Sequence, residues 1–171
     1  QDQARKMMAM VSGFRSLTGI AGPTLDLETV ELGGLVGALV EELLDPAEPI
    51  EVVVGLDGVV QGYPTLLEVL FRNLFVNALV HGPRPLRVEL TEACEDGRRI
   101  FSVASTSPGG PRDIDHDRLF KPFVRDDVTA SDGSGLGLSI CRRVVERHRG
   151  EIWIAPSEDT FTVCFTLGEQ R

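Results

Sequence analysis

The stretch Ser131–Gly150, SDGSGLGLSICRRVVERHRG, constrains this chain more than any other. Gly133, Gly135 and Gly137 alternate with Ser134 and Leu136, so the backbone there bends sharply and turns consecutive N–H groups outward. From Leu138 the pattern becomes helical: Ile140, Val144 and Val145 recur on one side, with Arg142, Arg143, Glu146 and Arg147 between them. A glycine loop feeding a helix start offers unpaired N–H donors and a partial positive charge, which suits a phosphate group. A helix with a merely flexible entry loop is the alternative. Two commoner phosphate loops are excluded. Gly137 is followed by Leu138 and Ser139 rather than by Lys-Ser/Thr, and the lead-in VTASD is polar where a dinucleotide fingerprint needs a strand.

A second stretch carries chemistry. Pro64–His81, PTLLEVLFRNLFVNALVH, reads as a helix whose broad apolar face holds Leu66, Leu67, Leu70, Phe71, Leu74 and Ala78. Winding at 3.6 residues per turn adds Val69 and Val80 to that stripe. Asn73 and Asn77 project together from its margin. Asparagine is a middling helix former, so a mid-helix pair needs a reason. Either the amides bond nearby backbone, or they offer oxygens to Mg²⁺ and donors to phosphate.

At 171 residues the chain fits one domain with a real core, and its net charge of −9 argues against a nucleic-acid partner held through phosphates. Cys94, Cys141 and Cys164 are too widely spaced for a disulfide framework or a metal cluster, which points to a reducing, cytoplasmic environment. No apolar run reaches the length of a membrane span. The chain starts in a helical pattern without methionine and reads as a piece of something larger, so attachment of the whole protein to a membrane stays open.

The remaining elements follow in order. Residues 3–20 carry Met7, Met10, Val11, Phe14 and Leu17 at helical spacing, a stripe that packs on its own domain or forms half of a helical pairing surface. TLDLETVEL reads as a strand or extended connection, and LGGLVGALVEELL as a helix in spite of Gly33, Gly34 and Gly37. Ile50–Val54 is a β-branched run, Gly55–Gly58 a turn, and Val59-Val60 begins another strand. Leu86–Ala93 and Arg99–Ser105 flank EDGR as a hairpin. His116–Phe120 forms a short helical turn, and Glu151–Ala155 with Phe161–Leu167 makes a last hairpin. Such an order predicts a two-layer α/β sandwich, a mixed sheet with helices on one face.

With these residues placed, the chain resembles the ATP-binding domain of bacterial sensor histidine kinases, the Bergerat fold shared with gyrase-type ATPases. RNLFVNALVHG looks like the family's N box, LFKPFVR its F box, and DGSGLGLSICRRVVERHRGEIWI its G2 box and the strand behind it. The phrase GEIWI is similar to phytochrome-type kinases. The match runs from about Val30 to Leu167 within a domain spanning 24–171, and residues 1–20 resemble the end of a dimerisation helix.

The resemblance implies that Asn73 and Asn77 hold Mg²⁺ and the phosphates of ATP. It implies a lid from Gly109 to Gly137 anchored by Phe120 and Phe123, with Gly133, Gly135, Leu136 and Gly137 wrapping the phosphates and Lys121 or Arg125 adding positive charge. The expected partners are a phosphoacceptor helical domain of the same protein, a response regulator, and a second copy in the full-length homodimer. Departures are equally plain. Aligned on VASTSPGG, Ser105 stands where the family has the aspartate that receives the adenine amino group, Ser107 replaces a glycine, and only Gly109 survives. Val69 replaces a Glu or Gln that polarises the attacking imidazole, and Val80 replaces a phosphate-binding lysine. His81, His116 and His148 all lack the context of a phosphoacceptor histidine, so this chain does not phosphorylate itself by the family's route. Two readings therefore compete: a catalytic ATP-binding module, and a degenerate module acting as a scaffold for phosphatase action, phosphotransfer or regulator docking. A third, an anti-sigma-factor serine kinase, shares the fold but not the F box or the helix at 3–20.

Overall fold

The computed structural model describes residues 26–107, 116–122 and 136–168. Within them the order is β1 (Glu28–Glu31), α1 (Leu32–Leu43), β2 (Ile50–Gly55), β3 (Val59–Gly62), α2 (Pro64–His81), β4 (Leu86–Glu95), β5 (Arg98–Thr106), α3 (His116–Leu119), α4 (Gly137–Arg147), β6 (Ile152–Ala155) and β7 (Thr160–Phe165). Five strands form a mixed sheet in the order β2-β4-β5-β7-β6, while β1 and β3 pair as a separate antiparallel ribbon. The expected α/β sandwich is the observed one. The helix expected over 3–20 lies outside the described residues.

One face of the sheet carries the core. Along β4, Leu86, Val88 and Leu90 are buried while Arg87 and Thr91 face away, and on β5 Phe101, Val103 and Ser105 share the inner side. Against this face α2 lays Leu67, Leu70, Phe71, Leu74, Phe75 and Ala78, and α4 lays Ile140, Cys141, Val144 and Val145. Phe71 meets Phe165 edge-on at 5.8 Å, and Phe165 stacks on Phe101 at 5.4 Å, so helix and sheet share one aromatic cluster. Phe75 belongs to this core; Val80, expected on the stripe, is 50 % exposed.

Local chemistry sets the element ends. Pro64 starts α2 at its first turn, where its missing N–H is harmless, and Gly82 ends it with N–H donated to Ala78 C=O at 2.8 Å. Asp96 and Gly97, both at positive φ (50° and 76°), form the two-residue turn that joins β4 to β5. Glu31 ends β1 and caps α1, its carboxylate accepting from Gly33 N at 2.9 Å and Gly34 N at 2.6 Å. Gly33 is required there, since a Cβ would sit 2.6 Å from Leu56 O. At Gly37 a Cβ meets nothing within 4 Å.

Strand pairing departs from chain order at both ends of the sheet: β5 pairs with β7 rather than with β6, which lies outside it at the edge. β2 and β3 follow each other but do not pair: β2 runs parallel to β4, with Ile50 opposite Leu86 and Val54 opposite Leu90, and β3 pairs with β1. Arg99 ties the two sheets together. Its Nη1 donates to Val59 O at 2.7 Å, its Nε donates to Glu92 Oε1 at 2.8 Å, and the guanidinium lies 5.3 Å from the Phe101 ring centre.

Candidate nucleotide-binding site

Helices α2 and α4 pack antiparallel, and their contacts step along both. The start of α4 meets the middle of α2, where a Cβ on Gly137 would lie 3.5 Å from Asn73 Oδ1. One turn on, Cys141 Sγ lies 3.8 Å from Leu70 O, with burial pushing its thiol pKa up. At the far end His148 reaches the residue before α2.

The Asn73 amide is divided between two tasks. Its Nδ2 donates to Val69 O at 2.7 Å, the backbone bond anticipated as one explanation of the asparagine. That bond fixes the rotamer and leaves Oδ1 on the side of Gly137. Asn77 sits half-buried one turn further along the helix. Opposite, Leu136 precedes α4 with helical dihedrals and no side-chain cap. The first turn closes with Ile140 N–H on Leu136 O at 3.0 Å, so the amides of Gly137, Leu138 and Ser139 lie ahead of the ladder. Ser139 turns its hydroxyl back to Leu136 O at 2.8 Å.

A hard carbonyl-type oxygen facing an uncapped helix start suits a metal-bound phosphate: the oxygen for the cation, the amides for the anion. To that extent the residues fit Mg-nucleotide. Ser105, which the resemblance sets at the adenine, carries a hydroxyl in place of a carboxylate. Ser105 is 6 % exposed on the inner face of β5, and its hydroxyl donates to Phe161 O at a long 3.4 Å.

Phe120 is buried with the Arg142 guanidinium 5.8 Å from its ring centre, which anchors the residues after α3 to α4; Lys121 beside it is exposed. Leu136 is buried. Gly109, Phe123, Arg125, Gly133 and Gly135, and with them most of the expected lid, lie outside the described residues. Among the described residues no cluster of His, Cys, Asp or Glu fits a metal, and no helix is long and apolar enough to cross a membrane.

His148, which the sequence marks only as lacking a phosphoacceptor's context, is held by contacts from α4 and from the residue before α2. His148 is wholly buried, with Nδ1 at 2.8 Å from Val144 O and Nε2 accepting from Tyr63 N–H at 3.1 Å. The residue in the left-handed region at the end of α4 is Arg149 (φ 56°), not Gly150. Arg149 N–H bonds Glu146 O and Gly150 N–H bonds Val145 O, the paired bonds of a Schellman end. Gly150 is needed for a different reason: a Cβ would overlap Thr166 O.

A mixed sheet covered by this antiparallel helix pair, with an asparagine oxygen at an open helix start, defines a nucleotide-binding domain. The chain belongs to the histidine kinase-, DNA gyrase B-, and HSP90-like ATPase family, which it matches over residues 62–171. It is 30% identical over 167 residues to the adaptive-response sensory kinase SasA of Synechococcus sp. (strain JA-2-3B'a(2-13)), covering 92% of this chain and 44% of that protein. It is 34% identical over 156 residues to the sensor protein CutS of Streptomyces coelicolor, covering 87% of this chain and 37% of that protein. The chain thus spans less than half the length of either relative. Two solved structures share the fold. The catalytic domain of histidine kinase ThkA superposes with a TM-score of 0.70 at 24% identity, covering 84% of this chain and 96% of that one. The mycobacterial sensor histidine kinase MprB superposes at 0.72 and 23% identity, covering 84% and 100%. The domain is of the ATP-binding catalytic type found in two-component sensor kinases.

Proposed function

We propose that this domain binds Mg-ATP between α2 and α4 and presents the terminal phosphate to a histidine on a helical domain elsewhere in the same protein, for onward transfer to a response regulator. The observation that carries it is Asn73 Oδ1 facing Gly137 at the uncapped start of α4. In this reading Asn73 and Asn77 hold the cation and α4 receives the phosphates. Gly109, Phe120, Lys121, Phe123, Arg125, Gly133, Gly135 and Leu136 form or anchor the lid, and Ser105 lies under the base. Phosphoryl transfer then needs placement and charge neutralisation more than covalent help. A solved relative, full-length ShkA in complex with AMPPNP, is 25% identical with a TM-score of 0.66, covering 94% of this chain and 37% of that one.

Ser105 favours a second reading. A hydroxyl turned to Phe161 O replaces a charged acceptor, and a hydrogen bond to a charged group contributes about 1.5–3 kcal/mol. Its loss weakens binding by about ten- to a hundredfold, enough to leave a scaffold that holds nucleotide poorly. Calorimetry with Mg-ADP separates the two. Heat of binding at micromolar to submillimolar nucleotide supports the catalytic reading, and none at millimolar nucleotide supports the scaffold. Transfer itself is tested on a longer protein that includes the upstream histidine, by incubation with radiolabelled ATP.

A further inference from the structure

The clamp at the far end of the helix pair bears on the cleft. Tyr63 N–H can only donate, so Nε2 of His148 must be the acceptor and Nδ1–H must donate to Val144 O. That assignment is the neutral imidazole, with both ring nitrogens used. The ring lies 5.3 Å from that of Tyr63, and Arg147 lies over the same tyrosine ring at 5.8 Å. There is no slack: a Cβ on Gly62 would come within 2.8 Å of Leu67 Cδ1 and 3.1 Å of His148 Nε2. His148 O also accepts from Gly168 N–H at 2.9 Å, so the C-terminal segment is held too. From this clamp α4 runs back 11 residues, about 16 Å, to Gly137.

We propose that His148 is a positioning residue. By pinning the end of α4 to the start of α2 it sets where Gly137 stands against Asn73, and protonation of the ring releases the pin and loosens the nucleotide cleft. The inference rests on the reading that this cleft takes nucleotide.

The groups facing the ring are Arg147 from α4, Tyr63 and Leu67 at and in α2, and Gly62 at the end of β3. Burial lowers the ring's pKa from its ordinary 6.5, the Val144 bond opposes it by less, and the charge of Arg147 adds the smallest, lowering, effect. The sign follows. The clamp holds while the ring is neutral and opens in the folded protein only as pH falls through the lowered folded-state value; the stability it contributes is fully present above about pH 6.5 and falls away below it.

Two variants test this: His148→Phe, which fills the space and loses both bonds, and His148→Gln, which keeps an acceptor but does not titrate. Each is titrated with Mg-ADP at pH 7.5 and at a pH below the His148 ring's own titration midpoint, read by NMR in the folded protein, and the nucleotide-free amide signals of Asn73 and Gly137 are followed in the same spectra. His148→Phe should shift both signals and weaken Mg-ADP about tenfold at pH 7.5, the weight of one hydrogen bond. Between the two pH values the unsubstituted protein should lose severalfold more affinity than His148→Gln; protonation of the ligand is common to both. Equal pH dependence in the two proteins, or unmoved signals in a folded His148→Phe, overturns the proposal. If His148→Phe does not fold, the comparison with His148→Gln decides. Should the unsubstituted protein bind no nucleotide while the signals move, the clamp stands and the nucleotide reading fails.

Discussion

Asn73 faces Gly137 across the junction of two antiparallel helices, near enough that one added methyl group at Gly137 would touch the amide oxygen. That contact gives the asparagine a test that separates stability from binding. Alanine is the better helix former by up to about 0.7 kcal/mol, and the bond lost with Asn73→Ala goes to a carbonyl inside the helix. Asn73→Ala should therefore melt at the same temperature or slightly higher without ligand, and show no rise with Mg-ATP. Asn77→Ala should likewise lose the shift. A nucleotide-free melt several degrees lower would assign Asn73 to the fold instead.

Placing aspartate at Ser105 should act in two directions. The carboxylate would face Phe161 O from a nearly closed position, lowering the stability of the free protein by about 1–3 kcal/mol. Adenine nucleotides should bind about tenfold tighter, because the charged acceptor is restored. Chemical denaturation and calorimetry measure the two effects. Unchanged affinity would remove Ser105 from the base.

The end of α4 offers a stabilising change. Arg149 bears the left-handed conformation that costs an L residue about 1–2 kcal/mol, part of which glycine returns as unfolded-chain entropy. Arg149→Gly should raise stability by up to about 1 kcal/mol, and Gly150→Ala should lower it because of Thr166 O. Thermal melts of the two variants should move in opposite directions, and parallel shifts would contradict the assignment of the helix end.

Arg99 and Glu92 should behave as a coupled pair. Glu92 Oε2 is buried without a hydrogen-bond partner among the described residues, so its charge depends on Arg99. Arg99→Met should cost about 1–3 kcal/mol, and adding Glu92→Met should recover part of it. Additive losses in the double-mutant cycle would show the pair to be independent.

Sequence legibility followed the range of the interactions. The limits of α2 were readable because Pro64, Gly82 and Pro83 act on their own neighbours, and the β4–β5 turn because Asp96-Gly97 supplies positive φ in place. The asparagine pair stood out because asparagine is only a middling helix former. What stayed hidden was non-local. Nothing in IEVVVG says that its partner is the strand after α2 rather than the strand that follows it, since alternation sets a face and not a neighbour. His148 takes its decisive contact from Tyr63, 85 residues away. Val80 lay on the expected stripe but is half-exposed, because helical spacing gives a direction and not what packs there.

The corner at Glu31 ties two elements to a single side chain. The same residue closes the β1–β3 ribbon opposite Val59 and holds the first amides of α1, with no connecting loop to absorb a change. Peeling the ribbon away would unplug the helix start, and fraying the helix would tug on the ribbon. Their amides should thus exchange with solvent as one block, opening together or not at all.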